Sequence, residues 1–195
     1  MAVFSARVTA GADDGYARDD TSAFDSAGAN GFLGELAGAG PGATMNWFAR
    51  ILVVTIPQGS TINTANIVLT ASDNKTADTI HVKLMMEDAD DAVAPTSYAE
   101  FGALVRTTAK VDWDFTTNWA TDSEYTSPDF KAAVQEVVSR GGWASGADMQ
   151  VIIDDDGSDA DAERWFYSFD GSAAKCLQLN IDYDPPESGG MAFYF

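Results

Sequence analysis

Along residues 62–87 apolar and polar side chains alternate with a period of two. Ala65, Ile67, Leu69 and Ala71 interleave with Asn66, Val68, Thr70 and Ser72, and Ile80, Val82, Leu84 and Met86 interleave with Thr79, His81, Lys83 and Glu87. Successive side chains of an extended chain point to opposite faces, so each run predicts a strand with one buried face. The polar stretch Asp73, Asn74, Lys75, Thr76, Ala77 and Asp78 between them is rich in turn formers, and the whole predicts a β-hairpin.

The same reading extends along the chain. Phe4, Ala6 and Val8 alternate with Ser5, Arg7 and Thr9, predicting a first strand that ends near Gly11. The next thirty residues read as loop, through Asp13-Asp14-Gly15, Asp19-Asp20 and a glycine-rich loop over 26–44, in which Phe32, Leu33 and Leu36 anchor at most a short strand. So long a loop in a compact domain suggests a partner contact, with Phe32 and Leu33 as its interface residues. From Met45 to Ile56 the chain is almost continuously apolar, as in a strand buried on both faces. Residues 97–101 predict a helical turn, and Val111, Trp113 and Phe115 a short strand.

Ser127-Pro128-Asp129 has the composition of a helix start, with a serine able to cap and a proline whose missing N–H does no harm. Phe130, Val134, Val137 and Val138 then share one face of a helix over 128–140 that Gly141-Gly142 ends. Met149, Val151 and Ile153 predict a strand, residues 165–169 its return strand, and Leu177, Leu179, Ile181 and Tyr183 a last strand. The sum is a β-rich, all-β fold with one short helix. It forms a single domain over 1–184, with a C-terminal tail over 185–195.

Composition narrows what such a domain does. The 195 residues are 46% hydrophobic, enough for one core. Eleven Lys and Arg against 30 Asp and Glu leave a net charge of -19, which repels phosphate backbones and anionic membranes. That balance suits a saline medium, calcium, or a basic protein surface. Cys176 is the only cysteine, so no intrachain disulfide forms, and the alternation of the last strand makes it a small half-buried thiol. The N-terminus lacks a basic leader with an apolar core, and no run approaches the ~18 apolar residues of a membrane helix.

Candidate chemistry is sparse. With His81 as the only histidine, neither a histidine-based triad nor a zinc site of the usual ligands is expected. Asp154, Asp156, Asp159 and Asp161 place hard oxygen donors around the turn former Gly157, a candidate calcium site or else a solvated acidic turn. Asp13, Asp14, Asp90 and Asp91 make a second acidic cluster. Tyr98, Trp119 and Trp143 lie in loops, where they would either stack on a sugar or anchor their loops to the core. The tail residues Met191, Phe193, Tyr194 and Phe195 are apolar and are expected either to fold back into the domain or, the favoured reading, to dock on another subunit.

The run Ile56-Pro57-Gln58-Gly59 to Leu69, the strand ending Met86-Glu87-Asp88, residues 125–129, Gly141-Gly142-Trp143, and residues 168–172 leading to Leu177 resemble the pattern of DNRLRE-like β-sandwich modules over about Ile51 to Tyr183. Modules of that kind occur as non-catalytic parts of extracellular carbohydrate-active and adhesive proteins, and similar stand-alone chains occur in bacteriophage virions. The resemblance implies a jelly-roll-like antiparallel β-sandwich of about eight to ten strands and carries no catalytic residues. Together with the missing leader it leads to the expectation of a non-enzymatic virion structural protein, a capsid decoration (cement) or head-fibre protein assembled in the host cytoplasm. Its partners would be capsid or other virion proteins and further copies of itself, with a trimer as one arrangement, and not nucleic acid or membrane. The alternative is an extracellular carbohydrate-binding or adhesion module, stabilised by calcium.

Overall fold

The computed structural model describes residues 1–40, 42–75 and 78–187. It holds twelve strands and two α-helices, arranged as two antiparallel sheets that face each other across the core, an all-β sandwich. The four-stranded sheet runs β1 (Ala2–Arg7), β12 (Gln178–Asp184), β6 (Thr61–Thr70) and β9 (Glu124–Thr126). The larger sheet runs β11 (Glu163–Tyr167), β4 (Asn30–Glu35), β5 (Thr44–Ile51), β10 (Met149–Asp155), β7 (Ile80–Met86) and β8 (Val111–Phe115), with β2 (Asp14–Arg18) and β3 (Ala23–Asp25) attached to it.

The strand β5 is the hub of the larger sheet. Met45 pairs with both Arg18 and Gly34, and Trp47 with both Tyr16 and Ile153. A residue in a ladder has one neighbour on each side. Strand β2 therefore lies along one edge of β5, while β10 and β4 share the other, and with one face on the main core and the other under the Phe101 cluster nearly every residue of β5 is buried.

The predicted hairpin is not one. Strands β6 and β7 belong to different sheets, and β6 pairs with β12 and β9 whereas β7 pairs with β10 and β8. Each has the buried face that its alternation demands: Ala65, Ile67 and Leu69 on one side of the core meet Ile80, Val82 and Leu84 on the other. Alternation fixes which side chains point inward but not which strand lies alongside, so it cannot separate a hairpin from an arch between sheets.

The expected thirty-residue loop is also corrected. It contains β2, β3 and β4, and β4 lies within the glycine-rich segment. Leu33 is fully buried in the main core, so this expected interface residue is a packing residue, and Phe32 is half-buried between Tyr16 and Trp165 at edge-to-face distances of 5.7 and 5.1 Å. Glycine replaces larger residues here because a partner sits against the backbone. A Cβ on Gly31 would fall 2.3 Å from the Phe166 ring, and Gly34, with φ +94°, lies against the Ala162 carbonyl and the Ile80 side chain.

Helix α2 (Lys131–Val138) forms where expected, with Ala133, Val134, Val137 and Val138 buried against the sandwich. Its start differs from the prediction. Ser127 does not cap it; the Ser127 hydroxyl accepts the Ile67 N–H at 3.1 Å, while Asp129 accepts from Ala65 and Lys131 N–H at 2.9 and 3.0 Å. These side chains tie the helix entry to β6. Residues 163–167 pair with β4, not with β10, so they are not the return strand of β10. Cys176 is fully buried rather than half-buried, its thiol donating to the Val8 and Ala173 carbonyls.

Candidate functional site

The register of the larger sheet lines up Asn46, Phe48 and Arg50 of β5, Gln150, Ile152 and Asp154 of β10, and Lys83 and Met85 of β7 on the face turned away from the core. Four apolar residues of this face, Ala17, Phe48, Met85 and Ile152, would be exposed without a cover. The cover is helix α1 (Tyr98–Ala103), whose Phe101 completes their cluster with its ring 6.4 Å from that of Phe48. The helix starts at Ser97, whose hydroxyl accepts the Glu100 N–H at 3.2 Å, while the Glu100 carboxylate accepts the Thr96 N–H at 2.7 Å.

Its far end is pinned by Arg106. The guanidinium donates to both oxygens of Asp154 at 2.7 and 3.2 Å and to the Leu104 carbonyl at 2.9 Å, and stands 4.9 Å from the centre of the Phe101 ring. Residues 93–106 are thus a strap across the sheet, with a cavity on each flank.

On one flank is an acidic pocket of about 260 Å³, lined by Asp19, Asn46, Tyr98, Phe101, Gly102, Arg106, Asp154 and Asp155. Asp19 organises it, accepting from the Tyr98 hydroxyl at 3.0 Å, the Thr44 hydroxyl at 2.7 Å and the Asn46 amide at 3.1 Å. That hydrogen bond to Asp19 raises the Tyr98 pKa above its ordinary value. Asn46 in turn accepts the Asp155 N–H at 3.0 Å. The second oxygen of Asp155, Oδ1, is buried and finds no donor among the described residues.

On the other flank runs a wider groove of about 520 Å³, lined by Val93, Ala94, Pro95, Ala103, Leu104 and Val105, with Glu87, Asp88, Thr96 and Glu100 at its margins. Val93 and Val105 are 70% and 63% exposed. Glu87 Oε2 is buried without a donor among the described residues, and burial raises the Glu87 pKa while Arg106 opposes the rise.

The residues singled out by sequence are distributed unevenly around this site. Tyr98 and Asp154 meet in the acidic pocket. Trp119 and Trp143 do not; each is 2% exposed, Trp119 stacked on Tyr125 at 4.4 Å and Trp143 donating its indole N–H to the Ile56 carbonyl at 3.0 Å. As folded they anchor loops and offer no face to a sugar. The four aspartates of the expected calcium site diverge. Asp154 pairs with Arg106 and Asp156 with Lys83, while Asp159 accepts the Thr79 N–H at 2.8 Å and Asp161 the Gly38 N–H at 2.8 Å.

The second acidic cluster is likewise divided, with Asp13 on Arg50, Asp14 buried and Asp90 on Arg140. Among the described residues no three His, Cys, Asp or Glu side chains are placed to hold a metal ion. His81 faces outward on β7, its Nδ1 3.0 Å from Asp114. Met191, Phe193, Tyr194 and Phe195 lie outside the described residues. Asp19, Asn46 and Arg106 were not visible as site residues in the sequence; the Asn46, Asp154 and Asp155 combination follows only from the β5–β10 register.

No protein-family model matches this chain, and no curated protein matches it. Among solved structures the chain is similar to the coat protein of Tobacco streak virus, at 10% identity over 100% of this chain and 94% of that one, with a TM-score of 0.24. A likeness of that size carries no argument. The β-sandwich fits a jelly-roll module, and no comparison confirms the DNRLRE-like family. Among the described residues no helix is long and apolar enough to cross a membrane.

Proposed function

We propose that this chain is a non-catalytic β-sandwich acting through surface contacts as a structural component of a bacteriophage particle, as a capsid decoration (cement) or head-fibre protein. The observation that carries the contact reading is the groove beside α1. Exposed Val93 and Val105 flank Ala94, Pro95 and Leu104, whereas the other large apolar side chains among the described residues are mostly internal. The resemblance to DNRLRE-like modules supports the particle as the setting. Homo-oligomerisation belongs to the same proposal, with residues 191–195 as one contact.

The test is quantitative mass spectrometry and immunogold labelling of purified particles from a lysate of the host carrying this gene. The chain is expected at a fixed ratio to the major capsid subunit and on the particle exterior. Recovery only in the particle-free supernatant would refute the proposal. Sedimentation of the full chain against residues 1–187 separately tests the tail: an oligomer that becomes monomeric on truncation supports it.

A further inference from the structure

The two cavities flanking α1 differ in character but share one feature. Each has in its lining an acidic residue, Asp155 in the pocket and Glu87 in the groove, one of whose oxygens, Asp155 Oδ1 or Glu87 Oε2, is enclosed and lacks a donor among the described residues. The charge around them is negative. Asp19, Asp154 and Asp155 outnumber Arg106 in the pocket, and Glu87, Asp88 and Glu100 border the groove. Between them the groove offers aliphatic surface that is exposed in the chain by itself.

We propose that this strap face docks a basic, apolar-anchored segment of another protein, an aliphatic side chain entering the groove and an arginine or lysine entering the acidic pocket. This names the partner chemistry of the contact surface proposed above and rests on that reading. Charge selects the occupant. A second copy of this chain carries a net charge of -19 and would bring acid against acid, and a nucleic acid would do the same. A neutral saccharide would leave the aliphatic groove uncovered and gain little from the negative field. A guanidinium suits a pocket lined by Asp19, Asp154, Asp155 and the ring of Tyr98, because it carries several donors and a plane that stacks on aromatic rings.

Geometry sets the spacing. The cavities lie on opposite flanks of one helix, roughly 10–12 Å across with its side chains. An extended segment advances about 3.3 Å per residue, so the aliphatic and basic side chains should stand about three to four positions apart.

The test uses the full chain labelled with ¹⁵N and a nine-residue Gly/Ser peptide carrying leucine and arginine four positions apart. Amide shifts are expected to cluster at residues 93–106, 19, 46 and 154–155, with binding weakened at least fivefold by Val93→Asp, by Val105→Asp and by Asp155→Asn. All three positions lie outside the buried core, and the dispersion of the amide spectrum reports whether each variant folds. Exchange of the peptide arginine for glutamate is expected to abolish binding, and adjacent placement of its two side chains to weaken it. Shifts that scatter over the surface, equal binding of the glutamate peptide, or unchanged affinity in all three variants would overturn the docking site. So would a glycan-array signal lost in Tyr98→Ala, which would assign the pocket to a saccharide. Because this assay needs no particle, its failure is separable from absence of the chain in purified virions.

Discussion

Asp14 makes stability depend on pH in a direction opposite to that of most surface carboxylates. Its side chain is 1% exposed; Oδ2 accepts the Phe169 N–H at 2.9 Å, and Oδ1 finds no donor among the described residues. Burial pushes its pKa from 3.8 up to about 7, the Phe169 N–H opposes the rise, and Asp170 and Asp13 add to it. A folded-state pKa above the unfolded one means that the native form holds the proton more tightly. The associated stability is fully present below pH 4 and is lost as pH rises through about 7.

A shift of about three units at 1.36 kcal/mol each amounts to roughly 4 kcal/mol between the two limits. Replacing Asp14 by Asn keeps an acceptor for Phe169 and removes the titration. Urea unfolding between pH 5 and pH 8.5 is expected to show the native protein losing about 2–3 kcal/mol across the window, the part of the shift above pH 5, and Asp14→Asn losing much less. At pH 8.5 the variant should be the more stable of the two. Glu87, also raised by burial, leaves a smaller trend of the same sign in both proteins. If Asp14→Asn loses as much stability as the native chain over this window, the burial argument for Asp14 is wrong.

Other expectations are more local. Val53 is a β-branched residue with φ +54° and a 60% exposed side chain, so Val53→Gly should raise stability by about 1 kcal/mol whereas Val53→Ala should not, by urea unfolding. Fully buried Arg164 donates to the Thr117, Glu163 and Asp78 carbonyls at 3.2, 2.9 and 3.5 Å, so Arg164→Leu should cost about 2–4 kcal/mol in the same assay. Burial pushes the Cys176 thiol up to about 11, so a thiol reagent at pH 8 should label it only at the rate of unfolding; rapid labelling of the folded chain would contradict its placement.

Much of the architecture was legible because alternation reports burial directly. The inward residues of β6, β7, β10 and β12 were all read correctly, as was the double-faced burial of β5. The reading failed where strands are built from residues that normally mark turns. Asp14-Gly15 and Asn30-Gly31 look like loop, yet Gly15 and Gly31 are strand residues lying against the Phe48 and Phe166 rings. The aromatic residues Tyr16, Phe24 and Phe32 were the available signal. Pairing failed for a different reason, since Leu69 and Ile80 point inward equally well in a hairpin or an arch. The site was partly legible: Tyr98 and Asp154 were named for separate chemistries, and only the sheet register unites them with Asn46 and Asp19.

The pairing of β12 with both β1 and β6 has a consequence during synthesis. Neither early strand has its central neighbour until residues 178–184 have left the ribosome. The larger sheet waits in the same way for β10, which separates β5 from β7. The edges of β1 and β6 that face β12, and those of β5 and β7 that face β10, therefore remain unpaired until late, although β2, β3, β4 and β5 can pair among themselves, so the sandwich should close largely post-translationally and tolerate no truncation before Asp184. A ribosome stalled after β7 would hold an aggregation-prone chain rather than a half-built domain.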